Sequence, residues 1–190
     1  MASKREQLVQ TAVELFSQHG FHGTGIDRIA REAGVTKKTL YNHFRSKEEL
    51  ILAALRDYDV RFRNDFMKAV EKRWDTPYEK LLGIFEVAQD WFSGDKFFGC
   101  MFINAISEYS DPDTAIRQVC KEFKRLMSTY IKELTIASKV PDPENLSAQI
   151  ALLFEGAIVT AQVDGDAHTA QATQTAQLAA KVLVDAQLAR

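Results

Sequence analysis

Cysteine is nearly missing from this chain. Cys100 and Cys120 are the two in 190 residues, too few and too late in the chain for a disulfide framework, so a reducing cytoplasm is the expected compartment. Proline is almost as sparse: Pro77, Pro112, Pro141 and Pro143 follow or sit among Asp and Thr, where they read as helix starts. No segment is rich in strand signals, which leaves an all-α chain. No apolar run reaches the ~18 residues of a membrane span, and MASKREQLVQ lacks the apolar centre of a signal peptide. A protein that stays where it is made, with no membrane partner, is expected. His19, His22, His43 and His168 are scattered, and no nucleophile motif, phosphate loop or metal spacing appears. That argues against an enzyme: no catalytic residue, cofactor or metal ligand is expected.

A strong charge of one sign is lacking too, with a formal net charge of −2. The average hides an asymmetry. Residues 1–47 carry eight Lys and Arg against four acids, a balance of +4, so the rest of the chain stands at −6. A basic N-terminal module on an acidic body suggests that one end meets a polyanion and the other does not.

The chain is rich in helical periodicity. A first helix runs from about Ser3 to His19, with Leu8, Ala12, Leu15 and Phe16 on one face and Gly20 ending it. Ile26, Ile29, Ala30 and Ala33 mark a second, stopped at Gly34, and Thr36 caps a short third ending near His43. Ser46 opens a fourth with Glu49 three residues later, the spacing of a capping box, and it runs about 39 Å to Arg73. Thr76, Pro77 and Glu79 open a fifth in the same way. After SGDKFFG a helix follows near Cys100 to Tyr109. Beyond Pro112 a clear stripe joins Ile116, Val119, Cys120, Phe123, Leu126, Met127, Tyr130, Ile131 and Leu134. Its other face mixes Arg117, Lys121, Lys124, Arg125 and Lys132 with Glu122 and Glu133, the pattern of a solvated surface.

The last two helices differ in kind. PENLSAQIALLFEGAIVTAQV is apolar on nearly every side: Ile150, Leu153, Phe154 and Ala157 on one face, Leu152, Gly156, Val159 and Thr160 on another. A helix apolar all round is covered all round. HTAQATQTAQLAAKVLVDAQLAR is rich in Ala and Thr, which permits close approach. A second copy of the pair, packed as a four-helix bundle about a two-fold axis, supplies that cover; the alternative is a monomer covered by its own remaining helices.

The second and third helices, joined by a tight turn at Gly34, make a helix-turn-helix whose latter helix enters a major groove. Thr36, Lys37, Lys38 and Thr39 stand in its first turn, where the helix dipole favours an anion. Leu40 and Phe44 face inward. Tyr41 and His43 can donate to backbone phosphates, and Lys47 adds a charge at the next helix start. Local packing is the alternative for Tyr41 and His43, a merely solvated charge that for Lys37.

GFHGTGIDRIAREAGVTKKTLYNHFRSKEEL closely resembles the helix-turn-helix of TetR-type (TetR/AcrR) transcriptional regulators. The glycine ending the first helix, the threonine before the second, IA..AGV and TLY.HF.SKE.L agree in one register over about residues 8–55. The rest resembles that family only in helix count and order. The resemblance implies about nine helices, with a DNA-binding domain at 1–47 and an effector-binding and dimerisation domain at 48–190. It implies further that Thr24 and Gly25 lie near a phosphate, that Thr36, Lys37, Lys38 and Thr39 face the groove, and that Tyr41, His43 and Lys47 lie on the DNA backbone. Lys38 departs from the family, many members of which have glycine or another small residue there. Also implied are a homodimer through the last two helices, double-stranded operator DNA as partner, and repression relieved by a small-molecule effector. The two reading helices must then sit about 34–36 Å apart, with the fourth helix as lever.

For the effector, Trp91, Phe92, Phe98, Met101, Asn104 and Glu108, with Phe123, Met127, Tyr130 and Phe154, can line a pocket for an aromatic or apolar molecule, Glu108 serving as partner for a cation. The alternative is that the aromatics are core and Glu108 exposed. Cys100 and Cys120 fit either a thiol sensor or buried small hydrophobes. A rival to the effector-responsive regulator is a DNA-binding architectural or cell-division factor without an effector.

Overall fold

A computed structural model describes residues 3–164 and 169–189; His168 lies outside them. Among the described residues the chain is all-α, in the order α1 (Lys4–His19), α2 (Ile26–Glu32), α3 (Lys37–His43), α4 (Lys47–Arg73), α5 (Pro77–Phe92), α6 (Met101–Glu108), α7 (Ala115–Ala137), α8 (Pro143–Asp164) and α9 (Thr169–Leu188).

The starts follow from side chains that satisfy the free N–H groups of a first turn. Ser3 and Glu6 form a reciprocal capping box on α1, and Thr76 and Glu79 form another on α5, with Pro77 just inside. At α4 the reciprocity slips by one residue. The Glu49 N–H donates to Ser46 Oγ at 3.2 Å, while the Glu49 carboxylate accepts from the N–H of Arg45 at 2.7 Å.

Packing divides the chain into two compact units, Met1–Phe62 with Met101–Phe123, and Arg63–Cys100 with Lys124–Arg190. In the first, α1, α2 and α3 pack on one another around Leu8, Phe16, Phe21, Ile29, Leu40 and Phe44, all essentially without exposed surface. Each such side chain contributes roughly 1.5–3 kcal/mol by leaving water. Deeper in this unit Phe102 lies face to face with Phe123 at 3.8 Å, with Phe62 at 6.0 Å from Phe123 and Tyr58 at 5.9 Å from Phe102.

In the second unit α9 packs along α8 and α5. Phe154 stands edge-on to Phe66 and Phe85, at 5.7 and 6.1 Å. Tyr130 is buried and its hydroxyl donates to Glu71 at 3.1 Å. Burial, with the Glu71 charge beside it, pushes that phenol far above its ordinary range.

One expectation is corrected here. Pro143–Val163 of α8 is 21 residues long with a mean hydropathy of 1.5, long and apolar enough by length and composition to cross a membrane. In this fold it is instead a packed helix: Leu146, Ile150, Phe154, Ala157 and Ala161 are buried, and Glu155 pairs with Lys124 at 2.5 Å. Its second apolar face, the one carrying Leu152, Val159 and Val163, is exposed, and so are Leu178 and Val182 on α9. A groove of about 440 Å³ runs along this surface, lined by Leu152, Gly156 and Thr160 of α8 and Gln171, Thr175 and Ala179 of α9, among others.

Candidate nucleic-acid interface

The geometry of the basic module starts at Gly34. After α2 the chain reverses with Gly34 at φ +65°, a left-handed value that costs a side-chain-bearing residue about 1–2 kcal/mol. The N–H of Val35 then reaches back to the carbonyl of Ala30 at 3.0 Å, closing a Schellman turn. Thr36 follows in extended conformation and caps α3, its Oγ1 accepting from the N–H of Thr39 at 3.1 Å; the two hydroxyls lie 2.9 Å apart.

Seven residues make α3, and their alternation of burial is sharp. Leu40 and the following Phe44 are buried, whereas Thr36, Lys37, Lys38, Tyr41 and His43 are exposed and Thr39 half-buried. Arg5 lies over the Phe44 ring, 5.0 Å from its centroid, closing the inner side. The outward face of α3 therefore consists of hydroxyls, ammonium groups, a phenol, the Asn42 amide and an imidazole. Lys47, half-buried, begins α4.

Two side chains behave differently from the sequence reading. Thr24 is fully buried, and its hydroxyl donates to the carbonyl of Gly20 at 2.7 Å, so this residue has only its backbone to offer a phosphate. The neighbouring Gly25 is exposed at the start of α2. Lys37 is not alone: its Nζ is 2.9 Å from Asp27 of α2. The hydrogen bond to that carboxylate and its charge hold the Lys37 ammonium above the usual lysine range.

Asp27 and a second pair, Arg28 donating to His19 Nε2 at 2.8 Å, were not found by sequence reasoning. Both link residues about ten apart across a turn, for which helical periodicity has no signal. Missed as well was a tie between the module and α6. Glu108 Oε1 accepts from the N–H of Phe21 at 2.8 Å, while Oε2 accepts from the N–H of His22 at 2.6 Å and meets His22 Nδ1 at 2.8 Å. Burial would raise this carboxyl, but the N–H groups of His22 and Phe21 and the His22 ring together hold it below the usual carboxylate range.

The ten residues named for an effector are not gathered in either unit. Met101, Asn104, Glu108 and Phe123 belong to the first; Trp91, Phe92, Phe98, Met127, Tyr130 and Phe154 belong to the second. Phe92, Met101, Phe123, Met127, Tyr130 and Phe154 are buried, Trp91 and Asn104 half-buried and Phe98 exposed. Trp91 and Phe92 adjoin at 5.2 Å, with Phe97 edge-on to Trp91 at 5.3 Å. The Glu108 carboxylate is engaged by the turn at Phe21 and His22. Cys100 and Cys120 are both buried and free of disulfides.

Residues 8–54, which hold most of α1, the helix-turn-helix and the start of α4, match the bacterial regulatory proteins of the tetR family. Similar proteins extend well past that stretch. The HTH-type transcriptional regulator RutR of Escherichia coli (strain K12) is 36% identical over 156 residues, 77% of this chain and 69% of that protein. The HTH-type transcriptional repressor KstR2 of Mycolicibacterium smegmatis is 34% identical over 84 residues, 44% of this chain and 40% of that protein. In three dimensions the chain is similar to a TetR-family transcriptional regulator from Streptomyces coelicolor, with a TM-score of 0.87 and 27% identity over 97% of this chain and 95% of the other. A helix-turn-helix module whose second helix carries two lysines, hydroxyls, a phenol and an imidazole on its outward face, and relatives that share both fold and sequence, lead to one conclusion: this chain belongs to the tetR family of bacterial regulatory proteins, DNA-binding regulators of transcription.

Proposed function

We propose that the chain is a repressor that binds a palindromic operator as a homodimer and is released by a small apolar or aromatic effector. The observation that carries the reading is the face of α3: Thr36, Lys37, Lys38, Tyr41 and His43 point outward from a helix anchored by Leu40 and Phe44. In this reading Thr36 to Thr39 meet the groove, Tyr41, His43 and Lys47 meet the DNA backbone, and Thr24 and Gly25 approach a phosphate through their N–H groups. A relative of this chain carries the name repressor. The segment 1–47 acts as the DNA-binding domain and 48–190 as the effector-binding and dimerisation domain, in the bacterial cytoplasm where an operator is found.

Support for the dimer comes from the exposed apolar faces of α8 and α9, with Leu152 75%, Val163 77%, Leu178 65% and Val182 61% exposed. Support for an apolar effector comes from accessible aromatic rings, chiefly Trp91 and Phe98. Such a molecule acts by binding the released state better than the DNA-bound one.

The test is selection of duplexes from a random pool by the purified chain, followed by sequencing. A palindrome with half-sites one helical turn apart is the expected result. Binding without sequence preference contradicts the repressor reading and favours an architectural role.

A further inference from the structure

One acid of the basic module stands against the outward face of α3. Asp27 lies in the first turn of α2, two residues after Gly25, which opens that helix without a side-chain cap. Its carboxylate is 2.9 Å from Lys37 Nζ, and both side chains are exposed. Arg28, the next cation along α2, is turned instead to α1 and donates to His19 Nε2 at 2.8 Å. The pairing shows that the first turns of α2 and α3 lie side by side, brought together by the Gly34 turn between the two helices.

Those two turns are the surface on which the proposed DNA contact rests, with the N–H groups of Thr24 and Gly25 on one side and Thr36 to Thr39 on the other. A phosphate that approaches either turn meets the Asp27 carboxylate as well. The acid gives the fold little in return, because an exposed ion pair is weak. What it does is occupy a cation: its hydrogen bond and its charge hold the Lys37 ammonium above the usual lysine range. Because the pair is exposed it is open to exchange, and a second anion has to displace a carboxylate already in place.

The consequence for DNA follows from counterion release. A free lysine that neutralises a phosphate releases about 0.9 of a cation from the duplex. If Lys37 stays with Asp27, that phosphate keeps its cation. If Lys37 leaves, the bared carboxylate attracts a cation of its own, and the net release is again small. Sequence-independent binding rests on such phosphate contacts, whereas a selected duplex can offer the Lys37 ammonium a base edge. We infer that Asp27 is a specificity-determining residue: by holding Lys37 it withholds one cation from sequence-independent binding. The inference rests on reading α3 as the DNA-contacting helix and adds the residue of α2 that governs one of its cations.

Two measurements on the full chain test it. The first needs no DNA: brief acetylation with acetic anhydride, read lysine by lysine in a mass spectrometer. In the native chain Lys37 is expected to react at least about threefold more slowly than Lys38, and in Asp27→Asn at about the same rate, since an adjacent anion favours the unreactive ammonium. Equal rates in the native chain dissolve the pair and overturn the inference. The second is binding to a scrambled duplex across a salt series. Asp27→Asn is expected to bind it roughly 5–10-fold more tightly near 0.1 M salt and to steepen the slope of log K against log salt by about one. In a Lys37→Gln background the same change is expected to move the slope less than about a third as much, the non-additivity of groups in contact. A like change in both backgrounds makes Asp27 a simple repulsive charge, and no change in the native one leaves Lys37 without a phosphate to take; either overturns the inference. The duplex is scrambled by choice, so a chain that selects no palindrome refutes the repressor reading and leaves Asp27 to be judged on these slopes.

Discussion

The outward groups of α3 are not equivalent, because their surroundings differ. Lys37 is held by Asp27, an anion that a phosphate must compete with, whereas no ion pair of Lys38 or Lys47 is among the described contacts. An exposed pair of this kind is weak, so Asp27 trims non-specific attraction more than it stabilises the fold. For Lys47→Ala the expected outcome is weaker binding to every duplex, with the slope of log K against log salt reduced by about one. For Lys38→Ala a changed base preference is expected, about 1–3 kcal/mol at one position, since Lys38 stands mid-turn where a long cation reaches a guanine edge. Binding measured across a salt series on selected and scrambled duplexes separates the two. Glu108 makes a prediction of a different sort. Its folded pKa is depressed, so its contribution is complete above the ordinary carboxylate value, near 4.3, and fades as the pH falls through the lower folded value. Glu108→Gln is therefore expected to cost about 2 kcal/mol at pH 7 in denaturant melts, and progressively less below about pH 4. A constant difference from pH 7 to pH 3 would sink that account.

Among the elements, Gly34 makes the clearest demand on a single residue. Nothing lies within 4 Å of a Cβ placed there, so Gly34→Ala meets no clash and isolates the cost of a left-handed backbone. About 1–2 kcal/mol of stability is expected to be lost in thermal or denaturant unfolding, and a neutral result would mean that the turn relaxes. This element was legible in the sequence for the reason that makes it sensitive: glycine, threonine cap and apolar spacing act within a few residues of one another. So were the capping box at Thr76 and the two faces of α8. The tie at Glu108 was not legible. Its partners lie 86 and 87 residues away, and nothing in NAISEYS distinguishes a carboxylate that receives backbone N–H groups from one left in water. For the effector set the sequence is ambiguous for the converse reason: aromatic residues at helical spacing carry the same signal in a core as at a binding site. Phe123, flat against Phe102, shows how readily ring packs on ring.

At the scale of the whole molecule, the question is what covers α8 and α9. Their inner faces are closed by Phe154, Ala157, Ala180 and Val184, all buried, while Leu178 and Val182 on the outside are 65% and 61% exposed. The proposed dimer would cover this contiguous apolar surface, and each such side chain buried against a partner contributes roughly 1.5–3 kcal/mol. The paired change Leu178→Glu and Val182→Glu leaves the inner faces intact and sets four like charges against one another across a two-fold axis. The native chain is expected to sediment at twice its 21.5 kDa, and the variant at the monomer mass with an unchanged helical spectrum. A monomer presents one α3 instead of two, so it neutralises about half as many phosphates, and its salt slope on the selected duplex is expected to fall by about half. A variant that remains dimeric would place the interface elsewhere. A native chain that is monomeric at micromolar concentration would leave the operator to assemble the pair, which a protein titration at fixed salt would reveal as binding that rises with the square of protein concentration.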